Sequence, residues 1–445
     1  MGKSARQTAL SVLIACRQNG AWSDGTLKAA LRRDALDPRD AALATRICYG
    51  VLQNRALLDF YIGAYCSQRV EKLEPIVLEI LRIGAYQIVF MDKIPPSAAV
   101  NEAVEMAKHH KRSKASGLVN AVLRSLARGR SALPQPDKRD AAAYLSLLYS
   151  HPKWLVERLL KTIGAEETEA FLRANNGAVP TTVQVNTLKA APDTLAAELA
   201  ESGIEVQPHP MVEGCFTLTG TGNMESLAAF AQGRIMVQDA AAKLAVLAAA
   251  PRAGSRVLDV CAAPGGKSFA AAIAMENSGE IISCDIHTHK LRLIESGAAR
   301  LGISCIKTQL ADGRTPRAEW LGAFDTVICD VPCSGLGIIR KKPDIRYKNE
   351  AELAKIPAVQ RAILENACTY VREGGVLLYA TCTVLPEENE CVTDGFLRAH
   401  PEFSAEAYDL PALGSVTGGV TLWPQRHGTD GFYICKLRKK AREHV

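Results

Sequence analysis

Arg256-Val257-Leu258-Asp259-Val260 runs directly into Cys261-Ala262-Ala263-Pro264-Gly265-Gly266-Lys267-Ser268 and then into an alanine-rich stretch. The first five residues predict a buried strand, the small residues a turn, and the alanines a helix. Strand, small-residue turn and helix start together bring bare backbone close to a ligand. Working outward, Glu280 to Asp285 predicts a second strand ending in an acid about 20 residues past the glycines, where a carboxylate can accept from two ribose hydroxyls. A third strand ends near Asp312, a fourth is Phe324 to Asp330, and a fifth is Gly374 to Tyr379. Strands rich in Val, Ile and Leu alternating with helices predict a parallel α/β sheet. A glycine-rich turn by itself marks only a tight connection. Followed in order by Asp285, Asp312 and Asp330 at strand ends, it predicts a site for a nucleoside-containing ligand. The turn is neither G-x-x-x-x-G-K-[ST] nor G-x-G-x-x-G, which counts against a P-loop triphosphatase and against NAD.

Two cysteines follow strands of this sheet. Asp330-Val331-Pro332-Cys333-Ser334-Gly335 follows the fourth, and Tyr379-Ala380-Thr381-Cys382-Thr383 the fifth. Ligands on open parallel sheets bind beyond the carboxyl ends of the strands, so both thiols are expected to face the nucleoside crevice. Pro386-Glu387-Glu388 reads as a helix start, which would favour a thiolate at Cys382. The other eleven cysteines read mostly as core filling. Two thiols and an acid beside a nucleoside suit chemistry at carbon 5 of cytosine. A thiolate that adds to carbon 6 makes that carbon nucleophilic, which is covalent catalysis. The target base must be unpaired or flipped out.

The chain has 445 residues, too many for one core. Hydrophobic residues make up 48% and charged residues 22%, a globular mixture. No apolar run approaches the roughly 18 residues of a membrane span. Met1 to Cys16 carries Lys3 and Arg6 before a short apolar stretch, but Thr8 and Ser11 break that stretch, so it reads as a first helix, not a signal peptide. The 13 cysteines include no C-x-x-C pair, which predicts reduced thiols in the cytoplasm and no zinc site or other metal. With a net charge of only +6, any nucleic-acid binding must come from local clustering.

Three segments are expected: a helical domain at 1–135, a small α+β segment at 140–235 that contacts nucleic acid, and the α/β domain at 236–440. In the first, Asp37-Pro38 opens a helix through Val51, and Pro95-Pro96-Ser97 opens another. Lys108 to Arg130 holds Lys111, Arg112, Lys114, Arg124, Arg128 and Arg130, which reads either as a solvated helix face or as an RNA footprint. Leu133 to Asp137 reads as a linker. A helix around Trp154 to Lys161 and a strand at Thr181 to Asn186 follow. The character changes to α/β from about Gly233.

The stretches 257–268, Asp330-Val331-Pro332-Cys333-Ser334-Gly335-Leu336-Gly337 and Ala380-Thr381-Cys382-Thr383-Val384-Leu385-Pro386-Glu387-Glu388-Asn389 resemble three signature motifs of the RNA 5-methylcytosine methyltransferases. The likeness extends to Pro343-Asp344-Ile345-Arg346, Val237-Gln238-Asp239-Ala240, Pro180 to Lys189 and Arg426-His427-Gly428-Thr429-Asp430-Gly431-Phe432-Tyr433. The first 130 residues resemble NusB, a helical RNA-binding domain. The resemblance thus implies a multidomain chain with an all-α NusB-like domain, a small α+β middle domain and a Rossmann-like AdoMet-dependent methyltransferase domain, similar to bacterial enzymes acting on small-subunit (16S) rRNA.

By that resemblance, Cys261, Ala262, Ala263, Pro264, Gly265, Gly266 and Lys267 wrap S-adenosyl-L-methionine (AdoMet), Asp285 takes its ribose, and Asp312 lies by its adenine. Asp330 lines the pocket of cofactor and base. Cys382 is the implied nucleophile and Cys333 the residue assisting release, with Asp330 and Lys267 completing the catalytic set. DNA cytosine methyltransferases attack from a Pro-Cys loop, so the residues alone left Cys333 as a rival. Gln184 stands where Arg is common in the family, and Ser268 replaces the usual Thr, either of which can cap a helix. Arg340, Lys341, Lys342 and Arg346 read as contacts to RNA phosphates or, failing that, as a solvated loop; Tyr347 reads as packing or base stacking, and His287, His289 and His427 carry no assigned chemistry. The expected partner is small-subunit rRNA, free or in early particles, met by a monomer that uses neither metal nor membrane. Three alternatives remain: a catalytically idle rRNA-binding assembly factor, a 5-methylcytosine enzyme for another RNA, and a methyltransferase for small molecules or protein.

Overall fold

The computed structural model describes residues 3–19, 23–110 and 112–441. It divides into two compact units, Met1–Gly177 with Ile339–Lys348, and Ala178–Ile338 with Asn349–Val445.

The first unit is helical. Its central helix, Pro75–Phe90, is buried from Val77 through Ile88, because an all-round apolar helix can be stable in water only when wrapped by others. The polar members of that run are paired: Arg82 binds Glu79 at 2.5 Å and Asp59 at 2.6 Å. The helix expected from Asp37-Pro38 runs Pro38–Gln53, with Asp37 Oδ1 accepting from the amides of Arg39 and Asp40 at 2.8 and 2.9 Å. Pro96 opens Pro96–His109. In the basic stretch, Lys108, Arg112 and Arg130 are ion-paired to Glu105, Glu74 and Asp92. Lys114, Arg124 and Arg128 have no carboxylate partner among the described residues, and Lys111 lies outside them.

The segment Ile339–Lys348 corrects the reading of Arg346 as a phosphate ligand. Arg346 is fully buried within the helical unit. Its Nη1 donates to the carbonyls of Gln53 (2.8 Å), Ser150 (3.2 Å) and Tyr149 (3.3 Å) and to Asn176 Oδ1 (3.0 Å). Tyr347 donates to Leu52 O at 2.5 Å, with the Arg55 guanidinium 3.3 Å from its ring centroid. Ser23 Oγ donates to Asp344 Oδ1 at 2.6 Å. A charge pattern cannot distinguish a cation facing phosphate from one facing protein carbonyls. Tyr347 is packing, as one of its two readings held.

Among the described residues the second unit carries three sheets, of four, eight and two strands. Strands β1 (Thr181–Val185), β2 (Glu205–Pro208), β3 (Cys215–Thr219) and β4 (Ile235–Val237) form an antiparallel sheet in the order β2-β3-β1-β4. Leu195 and Leu199 of the helix Pro192–Glu201 pack with Val183, Val185 and Phe216. Although the change of character was expected from about Gly233, β4 still pairs with β1, Val183 opposite Val237. Three residues are too few to show a pattern of their own.

The largest sheet holds β5 (Arg256–Asp259), β6 (Glu280–Asp285), β7 (Ile306–Leu310), β8 (Phe324–Asp330) and β9 (Val371–Thr381) in parallel, ordered β7-β6-β5-β8-β9. Strands β10 (Phe403–Ala405), β11 (Ala407–Leu410), β12 (Gly414–Thr417), β13 (Gly419–Leu422) and β14 (Phe432–Lys439) follow. Of these, β14 runs antiparallel beside β9, and β10 and β13 pair with β14. Chain order reverses at β5, so the crevice at its carboxyl end is the binding position such sheets favour. Among the described residues no helix is long and apolar enough to cross a membrane.

Candidate active site

The turn after β5 is built for close approach. Gly265 has φ +109°, and a Cβ there would sit 2.4 Å from the Phe269 ring; one on Gly266 would meet Gln238 Nε2 at 3.0 Å. The turn leads into the helix Gly266–Ala274. Ser268 is not a cap, which corrects that expectation. It lies inside the first turn, fully buried, where its Oγ donates to Asp259 Oδ2 at 2.8 Å and accepts from Ser283 Oγ at 2.7 Å. Burial pushes the Asp259 carboxyl up to about 7.

Lys267 points from this helix to the end of β8, its Nζ 2.6 Å from Asp330 Oδ2 and 4.9 Å from the Phe432 ring centroid. Burial works against its charge, but the adjacent Asp330 carboxylate holds the ammonium above its ordinary range. Asp285 ends β6, where its Oδ1 accepts from the His287 amide at 2.9 Å and Lys290 Nζ lies 3.5 Å from Oδ2. His287 precedes the helix Thr288–Leu301. Asp312, just after β7, lines a small cleft with Val260, Cys284, Trp320 and Tyr370, and the Arg314 side chain holds its carboxyl below the usual range. Among the described residues no group of three His, Cys, Asp or Glu side chains could hold a metal ion.

Beyond β8 and β9 the two expected thiols meet. Cys333 Sγ and Cys382 Sγ are 3.1 Å apart, both half-buried and neither disulfide-bonded. The neighbouring Cys382 sulfur and burial push the Cys333 thiol up. Of the other eleven, Cys48, Cys215, Cys284, Cys305, Cys329, Cys368 and Cys435 are buried, whereas Cys391 is exposed.

The expected helix start at Pro386 is corrected: residues 386–389 form turns and the helix begins at Glu390. The side chains of Glu388 and Asn389 brace the two cysteine loops instead. Asn389 Oδ1 accepts from Thr381 Oγ1 at 2.5 Å while its Nδ2 donates to Thr383 O at 3.1 Å, and Glu388 Oε2 accepts from the Ser334 amide at 2.8 Å. A backbone clasp joins the loops. The Gly337 amide donates to Cys382 O at 2.9 Å, and Gly431 donates to Gly337 O at 2.8 Å. A Cβ on Gly337 would fall 1.8 Å from Gly431 O. The Asp430 amide donates to Asp239 Oδ1 at 2.9 Å, and that oxygen also accepts from Ala241 at 3.0 Å to cap Ala240–Ala249. Sequence reading assigned Glu388, Gln360, Ser334, Gly337 and Gly431 no role. Their only signal was membership of the quoted motifs or, for Gln360, none. Gln184 is buried, its Nε2 3.3 Å from Cys215 Sγ, and His427 Nδ1 accepts from the Trp423 amide at 2.7 Å.

A reversed parallel sheet, a glycine turn and acids at successive strand ends define the catalytic domain as Rossmann-like and methyltransferase-type. Residues 246–438 match the 16S rRNA methyltransferase RsmB/F family, residues 3–128 the NusB family, and residues 151–225 the ferredoxin-like domain of RsmF/B-like methyltransferases. Ribosomal RNA small subunit methyltransferase B of Erwinia tasmaniensis is 36% identical over 90% of this chain and 91% of its own. That of Vibrio cholerae is 34% identical over 98% of each. The crystal structure of PH0851 is similar with a TM-score of 0.81 and 28% identity, over 99% of this chain and 100% of that one. The chain belongs to the 16S rRNA methyltransferase RsmB/F family.

Proposed function

We propose that this chain transfers a methyl group from AdoMet to carbon 5 of a cytosine in small-subunit (16S) rRNA, in the cytoplasm, through a covalent bond between Cys382 and carbon 6. The observation that carries the reading is the 3.1 Å approach of Cys382 and Cys333 beyond β8 and β9, the strand end that also bears the Lys267–Asp330 pair.

The residues after β5 suit AdoMet. The bare backbone of Cys261 to Lys267, in which a Cβ on Gly265 would strike Phe269 and one on Gly266 would meet Gln238, would cradle it, Asp285 would take the ribose hydroxyls and Asp312 the adenine side. When bound, AdoMet supplies an electrophilic methyl carbon. Cys382 adds to carbon 6 of the unpaired base, leaving carbon 5 electron-rich. Asp330, oriented by Lys267, stabilises the proton on ring nitrogen 3. After methylation water accepts the carbon 5 proton, nitrogen 3 gives its proton back, the double bond re-forms and Cys382 leaves as a thiol. Cys333, kept protonated by the neighbouring sulfur and by burial, assists that release by hydrogen bonding to the departing sulfur. The basic residues without acid partners among the described residues, Lys114, Arg124 and Arg128, suit RNA phosphates.

The test is methylation of unmodified 16S rRNA by the full chain with AdoMet, read as 5-methylcytidine by nucleoside mass spectrometry and mapped by bisulfite sequencing. C382A is expected to yield no product and C333A to accumulate a protein–RNA band that survives denaturation. Wild-type product from C382A would overturn the reading.

A further inference from the structure

Glu388 takes no part in the steps above, yet it is buried to 2% exposure. Its Oε2 accepts from the Ser334 amide at 2.8 Å and from Gln360 Nε2 at 3.1 Å. Gln360, on the helix Ile356–Ala367, donates from the same nitrogen to Pro332 O at 3.0 Å. Pro332 and Ser334 flank Cys333, so Glu388 and Gln360 grip the peptide on both sides of that thiol. Glu388 is itself anchored to β9, because Tyr379 donates its hydroxyl to the Glu388 carbonyl at 2.6 Å. Ser334 Oγ adds a bond to Thr383 Oγ1 at 2.7 Å. The loop that carries Cys382 thus reaches across and holds the loop that carries Cys333.

This arrangement is costly. Glu388 Oε1 has no hydrogen-bond partner among the described residues, and burial raises the carboxyl above its usual range. A buried, half-satisfied carboxylate destabilises a fold, and sites where local rules are broken are commonly functional.

We propose that Glu388 is a positioning residue, which sets the approach of Cys333 to Cys382 and so couples release of the methylated base to its attack. The proposal rests on the two-thiol reading above. Losing the grip would leave Cys382 competent to attack while Cys333 drifts from the place where it assists release.

The test uses the full chain as E388A, E388Q and Q360A beside wild type, with two readouts. One is the fraction of enzyme trapped on 16S rRNA as an adduct that survives denaturation. The other needs no RNA: the rate at which hydrogen peroxide links Cys333 to Cys382, mapped by peptide mass spectrometry. There the two thiols lose two protons and two electrons, and peroxide becomes two waters. E388A is expected to raise the trapped fraction and slow the disulfide, each by about tenfold, the scale of a displacement near 1 Å or less. E388Q is expected to restore both, since its amide oxygen still accepts from the Ser334 amide. If E388A does not fold, Q360A decides, with changes of roughly threefold in the same directions. Wild-type values in both readouts for E388A, or for Q360A in its place, overturn the proposal, as does an E388Q no better than E388A. If C382A and C333A fail to behave as a nucleophile and a release variant, the two-thiol reading falls separately, and the disulfide rate still judges the positioning.

Discussion

Lys267 and Arg346 are both buried cations, and the protein satisfies them in opposite ways. Lys267 meets a carboxylate, Asp330, at 2.6 Å, and the pair stands at the end of β8. Arg346 meets oxygens of neutral groups, three backbone carbonyls and one side-chain amide, and burial pulls its guanidinium down to about 10. Its Nε and Nη2 have no partner among the described residues. Charge against charge makes a pair whose field acts on whatever lies beside it. Charge against carbonyl dipoles makes an anchor that ties Ile339–Lys348 into the helical unit. Asp259 shows a third solution. With burial dominant and a serine for partner, its carboxyl is pushed towards neutrality.

The strongest test of this contrast is R346A. It leaves carbonyls of Gln53, Tyr149 and Ser150 short of a donor and opens a cavity, so the helical unit is expected to lose about 3–5 kcal/mol. Hydrogen exchange across Ala141–Leu148 and Lys153–Asn175 should accelerate, while methylation per folded molecule changes little. A large activity loss with unchanged exchange would erase the distinction. K267M is expected to do the reverse: about 100-fold slower methylation, because Asp330 loses its orienting charge, with a stability change of only about 1 kcal/mol, because the Asp330 side chain left behind is 32% exposed and water can solvate it. Unfolding melts and initial rates on the same preparation separate the two.

A third test concerns pH. The Asp259 carboxyl sits near 7 in the folded chain, against about 3.9 when unfolded, so between those values the folded state holds a proton the unfolded state has lost. Its contribution is therefore complete below about pH 4 and fades as pH rises through 7. D259N is expected to flatten that fall in stability between pH 5 and 8, measured by denaturant titration. A slope equal to wild type would show that Asp259 does not titrate in this window.

The glycine turn, β5, β6 and β8 were legible because a buried parallel strand writes a short Val, Ile and Leu run ending in a turn. The positions of Asp285, Cys333 and Cys382 at or just beyond strand ends were legible because each follows such a run. Ser268 was misread because a serine at a helix start caps in isolation, and only the neighbouring strand shows that its hydroxyl turns to Asp259. Glu388 was misread for the converse reason: an acidic side chain after proline imitates a helix start, yet its carboxylate bonds to the Ser334 amide, 54 residues away in sequence.

Local order, then, sufficed for the architecture and for the residue types of the site, since strand and helix periodicities, turns and motif spacing are properties of neighbouring residues. Only the folded chain decided which hydrogen bonds those residues make, whether a cation faces phosphate or carbonyl, and how closely two thiols 49 positions apart approach. Such facts depend on long-range partners and on desolvation. Neither is a function of the residues next door.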